Sequence, residues 1–279
     1  MPAVAALLSL LSATVYGVGD FCGGLATKRA SATAVLLWSH VVGLALIVLT
    51  LPIVDGQLRA TDLALGALGG LAGAAGVGFL YQGLSIGPMS VVAPITALLA
   101  AAVPVIGGIA EGDRPGPATA IGMALALAAI VLVSAEGTGS LRPSDPRAVT
   151  YALVAGLGFG VFFLFLSYTS DDAGTWPLVG ARVASVTVVG LAALVGRVEA
   201  RMPRPALGLT TLAGTFDVGA NLLYLLAVRQ GLLSVVSVLS SLYPVSTVVL
   251  ARIVLHERFH RAQVLGLAIA IPAVVLMVR

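Results

Sequence analysis

Charged residues are scarce in this chain. Only 10% of its 279 residues are Asp, Glu, Lys or Arg, whereas 59% are hydrophobic. Soluble domains carry roughly 25% charged residues. So little polar surface could not cover an apolar interior in water, which excludes a soluble globular protein. We therefore expect lipid to be the solvent for most of the chain.

Cysteine and nucleotide-binding motifs are also lacking. Cys22 is the single cysteine, which excludes a disulfide framework and a cysteine-ligated metal site. No GxxxxGK[ST] sequence occurs, so ATP is not expected to drive the protein directly. The net charge is only +3, and the basic residues are scattered between apolar segments, which argues against nucleic-acid binding. We expect no cofactor and no metal.

Long apolar runs are what the sequence has in abundance. A spanning helix needs roughly 20 apolar residues, and charged or turn-forming residues divide the chain into runs of that kind. Glycines spaced four apart, as in Gly66-x3-Gly70 and Gly156-x3-Gly160, predict close contacts between helices. We predict ten transmembrane helices, near residues 3–26, 33–54, 63–84, 89–110, 116–135, 149–169, 175–196, 206–228, 232–254 and 262–278.

The chain consists of two copies of one unit. The segments GPMSVV at 87–92 and GLLSVV at 231–236 lie 144 residues apart, and Asp113-Arg114 matches Glu257-Arg258 at the same offset. We place the copies at residues 1–138 and 139–279, with five helices each. Because five is odd, the second copy must enter the membrane upside down. Inverted repeats of this kind build many secondary transporters, with the substrate site near the midplane.

With these features the chain resembles the EamA type of the drug/metabolite transporter superfamily over nearly its whole length. The resemblance rests on the two five-helix repeats, the G-x-x-S-V-V segments, the acidic-Arg turns and the glycine-led final helices. The second copy is the closer match, because it has Leu242-Tyr243-Pro244, whereas the first has Asp113 for the glutamate. The resemblance implies transport of small metabolites or drugs across the cell membrane, often outward, by alternating access.

Charged side chains inside the apolar runs mark candidate functional positions. A charge at the centre of a spanning helix costs roughly 2.5–3.5 kcal/mol on insertion scales, so it normally faces a cavity or a partner. Asp20, Arg182 and Asp217 lie well inside their predicted helices. Polar residues three or four positions apart share their helical faces. The predicted cavity-lining set is Tyr16, Asp20, Arg182, Asp217, Asn221 and Tyr224, with His40, Gln82 and Ser241 at its edge.

Two acids and one arginine belong to this set. We expect Asp20 to pair with Arg182, which leaves Asp217 to bind a proton or a cationic group beside Asn221 and Tyr224. Either carboxylate could exchange a proton with the substrate, so protons are a candidate coupling ion. Uniport is equally compatible with these residues.

Two other functions stay open at this point. Gly17-Val18-Gly19-Asp20 spells GxGD, the signature around one catalytic aspartate of intramembrane aspartyl proteases, and Asp217 could supply the second acid. In those proteases, however, the GxGD acid follows its partner, and the enzymes lack a five-helix duplication. The second alternative is a structural or sensory membrane protein, although the sequence offers no large loop or tail for such a role.

Two arguments disagree on which side of the membrane the termini lie. An even number of helices places both termini on one side. The loops on the opposite side carry nine Lys or Arg residues, against four on the terminal side, and the positive-inside rule would then put the termini outside. The resemblance implies cytoplasmic termini, and we adopt that assignment as the prediction.

Overall fold

The computed structural model describes residues 2–86, 89–134, 145–197, 200–256 and 259–279. Its described residues form helices and connecting turns, and ten spans are long and apolar enough to cross a membrane. The boundary predicted between residues 138 and 139 lies outside the described residues and stays a prediction. The helices are α1 (Ala3–Thr27), α2 (Ala32–Thr50), α3 (Ala60–Ile86), α4 (Met89–Glu111), α5 (Pro117–Ser134), α6 (Pro146–Ser167), α7 (Trp176–Val195), α8 (Arg204–Val228), α9 (Leu233–Ser240), α10 (Tyr243–Val254) and α11 (Arg261–Val278).

The ninth span differs from its prediction. The sequence predicted one continuous helix over residues 232–254, whereas α9 and α10 are separated by a two-residue turn. Pro244 is the physical reason, because it has no N–H to donate to the Ser240 carbonyl and its ring crowds that carbonyl. In the turn, the Leu242 N–H donates to the Leu239 carbonyl, only three residues earlier, at 3.2 Å. The two helices together still form one span of 22 residues.

The spans alternate in direction, so residues 2 and 279 lie at the same end of the bundle, which we call the terminal end. The other end is called the distal end. The loop after α4 lies at the terminal end, where Asp113 accepts a hydrogen bond of 2.8 Å from the Ser234 N–H. The loop after α10 lies at the distal end, so the two copies are inverted, as predicted. Glu257 and Arg258 lie outside the described residues.

The two copies interlock instead of folding as separate domains. The most extensive helix contacts join α3 to α6 and α7, α1 to α8, α5 to α11 and α4 to α6, and each of these pairs contains one helix from each copy. Contacts within a copy, such as that between α4 and α5, are much smaller. The interface between the copies is therefore the main packing surface of the molecule.

Glycines allow these helices to approach closely. A Cβ atom added at Gly66 or Gly70 of α3 would overlap the backbone of Pro177 or Ala181 on α7. A Cβ atom at Gly156 of α6 would lie 2.6 Å from a backbone oxygen of α4. Lipid offers no hydrophobic drive for helix association, so such backbone contacts carry much of the packing. The close contacts predicted from glycine spacing are present.

Candidate functional site

A cavity lies between the two copies, near the middle of the bundle. Its walls come chiefly from α1, α2 and α3 of the first copy and α6, α7 and α8 of the second. Tyr16, His40 and Asp217 line both of its adjoining chambers, whose volumes are ≈ 50 Å³ and ≈ 80 Å³. One water molecule needs roughly 10–15 Å³ on this measure. The cavity therefore has room for several waters or a small organic group.

Arg182 and Asp217 form an ion pair in the wall of this cavity. Nη2 of Arg182 contacts Oδ2 of Asp217. The arginine side chain is 7% exposed and the aspartate side chain is 33% exposed, so the carboxylate also faces the cavity. The expected pairing of Arg182 with Asp20 is therefore wrong. The reason is topological: α7 and α8 bring Arg182 and Asp217 together at mid-depth, whereas Asp20 lies nearer the distal end of α1.

Hydrogen bonds extend from this ion pair to α1. Nδ2 of Asn221 donates to the Asp217 carbonyl at 2.7 Å and to Asp217 Oδ1 at 3.3 Å. The Tyr16 hydroxyl donates to Asn221 Oδ1 at 2.6 Å. Because Asn221 uses its amide as donor to one residue and its oxygen as acceptor from the other, the orientation of its side chain is fixed. The network thus ties the two copies together inside the membrane.

His40 joins the same network from α2. Its Nδ1 lies 3.0 Å from Ser185 Oγ, and the Ser185 hydroxyl donates to the Arg182 carbonyl at 3.1 Å. Since the serine has only one proton to donate, these bonds are satisfied when His40 carries its proton on Nδ1. Nε2 is then the ring nitrogen that can accept a hydrogen bond from a molecule in the cavity.

Asp20 is the second carboxylate of the cavity. It lines the larger chamber about two turns before the distal end of α1, and it is exposed. No salt bridge or hydrogen bond joins it to another residue in the described part of the chain. Asp20 is therefore a carboxylate that the protein itself leaves open to the cavity.

Three residues of the predicted set lie elsewhere. Tyr224 is fully buried, where its ring stacks on Phe163 at 4.4 Å and its hydroxyl lies 3.1 Å from Ser237 Oγ. Ser241 is fully buried in the turn between α9 and α10. Gln82 is exposed but lines neither chamber. Helical spacing had placed Tyr224 and Ser241 on polar faces, and Gln82 was predicted from its position at the end of the third helix. Packing buries Tyr224 and Ser241 away from both chambers.

The sequence analysis missed most of the aromatic wall. Tyr81, Phe159, Phe163 and Tyr243 all line the larger chamber. The repeat held a signal for two of them, because an offset of 143 residues aligns Tyr16 with Phe159 and Asp20 with Phe163, with identical Gly and Val residues between them. Tyr16 and Phe159 thus supply a ring from each copy, whereas Asp20 of the first copy takes the place of the Phe163 ring of the second.

Loops of the two copies close the terminal end. Arg59 forms a salt bridge of 2.5 Å with Asp172, and the Gln57 N–H donates to the Asp172 carbonyl at 2.8 Å. Nη2 of Arg229 donates to the Gly174 carbonyl at 3.0 Å. Burial lowers the pKa of Arg229, although three nearby aspartates oppose this shift. The side chain still binds the loop as a cation, because an arginine remains protonated at neutral pH.

The cavity extends in the opposite direction. Leu36, Tyr81 and Ala213 form the outer part of its wall, and all three lie in the distal halves of their helices. The described contacts between copies at this end include Arg29 to the Pro205 carbonyl, at 3.1 Å, and Trp38 to the Ala200 carbonyl, at 2.8 Å. The cavity therefore extends from mid-depth towards the distal end, away from the loop contacts at the terminal end.

Comparison with known proteins agrees with this architecture. The model of the EamA-like transporter family matches residues 3–135 and 146–279. A solved structure, described only as a crystal structure of a protein, is similar with a TM-score of 0.83 and 16% sequence identity, over 99% of this chain and 96% of that chain. This likeness shows the fold alone. A search of curated proteins finds no match. Taken with the ten spans and the cavity between inverted copies, these matches show that the chain belongs to the EamA-like transporter family, a group of multi-pass membrane proteins that transport small molecules.

Proposed function

We propose that this protein is a secondary transporter of the cell membrane that exports a small metabolite or drug by alternating access. The observation that carries the proposal is the central cavity, which lies between the two copies and reaches towards the distal end, away from the loop contacts at the terminal end. With cytoplasmic termini, as the sequence resemblance implies, this conformation faces outward. The alternative conformation requires the contacts of Gln57 and Arg59 with Asp172 to open.

The energy source in this proposal is a gradient across the membrane. The two carboxylates of the cavity, Asp20 and Asp217, are the groups that could carry a coupled proton. Asp217 would release Arg182 when protonated, since the ion pair needs the charged carboxylate. Such a step would link protonation to the side-chain contact that joins α7 to α8.

Peptide hydrolysis is disfavoured by the same geometry. An aspartyl protease needs two carboxyl groups that share a proton. Here Asp217 Oδ2 is engaged by Arg182 and its Oδ1 by Asn221. The pair Asp20 and Asp217 is therefore not arranged as a catalytic dyad, and transport remains the proposed activity.

Alternating access can be tested without knowing the substrate. In a protein whose Cys22 is replaced by alanine, Val77→Cys places a thiol at a position that lines both chambers. We expect a membrane-impermeant maleimide to label it from either side of sealed vesicles, because the cavity opens in turn to both. Labelling from the distal side alone, under all conditions, would contradict the proposal.

A cross-link at the terminal end supplies the matched test. Gln57→Cys and Asp172→Cys join adjacent backbone positions of the two copies. Their disulfide should abolish labelling of the Val77→Cys thiol from the terminal side, whereas labelling from the distal side continues. Each single substitution at residue 57 or 172 is the control, since it changes the loop without closing it.

A further inference from the structure

The charges of the cavity do not balance. Arg182 is the only basic group among the described lining residues that carries a permanent charge, and Asp217 already neutralises it. His40 is engaged with Ser185. Asp20 then remains as a carboxylate without a partner in the described part of the chain. A lone carboxylate inside a membrane protein is costly, and such groups normally mark a pathway for a cation or a proton.

Aromatic rings surround this carboxylate. Tyr16, Tyr81, Phe159, Phe163 and Tyr243 line the same chamber as Asp20. Tyr16 packs edge-on against Phe163, with ring centroids 5.9 Å apart, and it lies 6.4 Å from Tyr243. The face of an aromatic ring carries negative potential, which attracts a cation. The rings and the carboxylate therefore both favour a positively charged ligand.

We propose that the chamber around Asp20 binds a monovalent organic cation, an ammonium or pyridinium group carried on a small apolar body. This inference rests on the proposed transport function and names its substrate class. Asp20 supplies the counter-charge, and the rings cover the apolar body. The volume of ≈ 80 Å³ limits the ligand to a small molecule unless the walls move.

Other ligand classes fit less well. An anion would meet the Asp20 carboxylate and would find Arg182 already paired with Asp217. A zwitterion would need that ion pair to break before its carboxylate could bind. A metal ion needs several oxygen ligands, whereas the other carboxylate of the chamber, Asp217, is already held by Arg182. No group of three His, Cys, Asp or Glu residues that could hold a metal occurs among the described residues. The organic cation is the ligand that uses every group without breaking an existing contact.

Equilibrium dialysis of labelled phenyltrimethylammonium against the purified protein in lipid nanodiscs tests this site. We expect saturable binding that choline displaces, and no displacement by 3,3-dimethylbutan-1-ol, in which an uncharged carbon replaces the nitrogen of choline. Asp20→Asn should weaken binding at least ten-fold. Asp171→Asn, which removes an exposed carboxylate from a terminal-end loop, is the matched control and should leave it unchanged.

The rings are tested separately at Tyr81. Tyr81→Phe keeps the aromatic face and should retain binding within about two-fold, whereas Tyr81→Leu should weaken it several-fold. A role of the hydroxyl alone would weaken binding equally in both variants, because both lack the hydroxyl, and would contradict the aromatic contribution. Thermal unfolding of each variant shows whether it has folded, and a variant that has not folded is replaced by Tyr243→Leu.

The two proposals can fail independently. Dialysis needs no gradient and no movement of the protein, so an absence of saturable binding, or equal binding by the Asp20→Asn protein, overturns the cation site and leaves alternating access standing. Preference for benzenesulfonate over phenyltrimethylammonium would also overturn it. Conversely, one-sided labelling at residue 77 would contradict alternating access without touching the cation site.

Discussion

At the level of single side chains, the two acids of the cavity have different tasks. Asp217 holds Arg182 and accepts from Asn221, whereas Asp20 makes no such contact in the described structure. The sequence could show that both acids lie in the membrane, because charges in apolar runs are conspicuous. It could not show which acid meets Arg182, since that depends on where α1, α7 and α8 lie relative to one another in the bundle.

Stability should reflect this difference. Asp217→Asn leaves the Arg182 guanidinium, 7% exposed, without its partner. Breaking a fully buried pair costs roughly 3–5 kcal/mol, and the cost should be smaller here because the Asp217 side chain is 33% exposed. We expect a clear fall in the midpoint of thermal unfolding in detergent, and little change for Asp20→Asn.

A double variant provides the control for that prediction. Asp217→Asn combined with Arg182→Gln removes both charges, so the protein should recover part of the lost stability. If Asp20→Asn lowers the midpoint more than Asp217→Asn does, then Asp20 is the partner of Arg182 in the purified protein. That outcome would contradict the ion pair between Arg182 and Asp217.

At the level of helices, composition determines where the membrane spans lie, whereas single residues determine whether a span is broken. Runs of apolar residues between charged loops were enough to predict ten spans, because the bilayer requires each backbone polar group to be satisfied within its own helix. The break between α9 and α10 was missed. Pro244 alone does not predict it, since Pro94 and Pro104 occur inside the unbroken α4.

The contact between α3 and α7 offers a test at this scale. Gly70→Ala would push a methyl group into the backbone of Ala181, and forced overpacking costs about 1–3 kcal/mol. We expect a lower midpoint of thermal unfolding. Gly78→Ala on the same helix meets no atom within 4 Å and should leave the midpoint unchanged or slightly raise it, because alanine favours a helix. Equal effects would show that the close contact is absent.

For the whole molecule, the repeat in the sequence predicted the architecture better than it predicted the site. Matching Gly and acidic-Arg positions at an offset of 144 residues revealed the two copies. Because each copy has an odd number of helices, the second copy had to be inverted. The aromatic wall and the loop contact between Arg59 and Asp172 involve residues far apart in the chain. Their juxtaposition arises from the packing of one copy against the other.

The side of the membrane is a property of the whole molecule as well. We expect single cysteines at residues 2 and 279, in a protein lacking Cys22, to resist an impermeant reagent in intact cells and to react after the cells are opened. Labelling of both in intact cells would place the termini outside and reverse the proposed direction of the cavity. Labelling of one alone would contradict the even number of spans.

The interlocking of the two copies has a consequence for the origin of the protein. A symmetric pair of first copies would bring two Asp20 side chains together and no Arg182, whereas a pair of second copies would present Phe163 where Asp20 now stands. Neither ancestral homodimer would hold the present combination of one neutral ion pair and one open carboxylate. That combination requires two copies that differ in sequence, so that a change in one copy does not force the same change in the other.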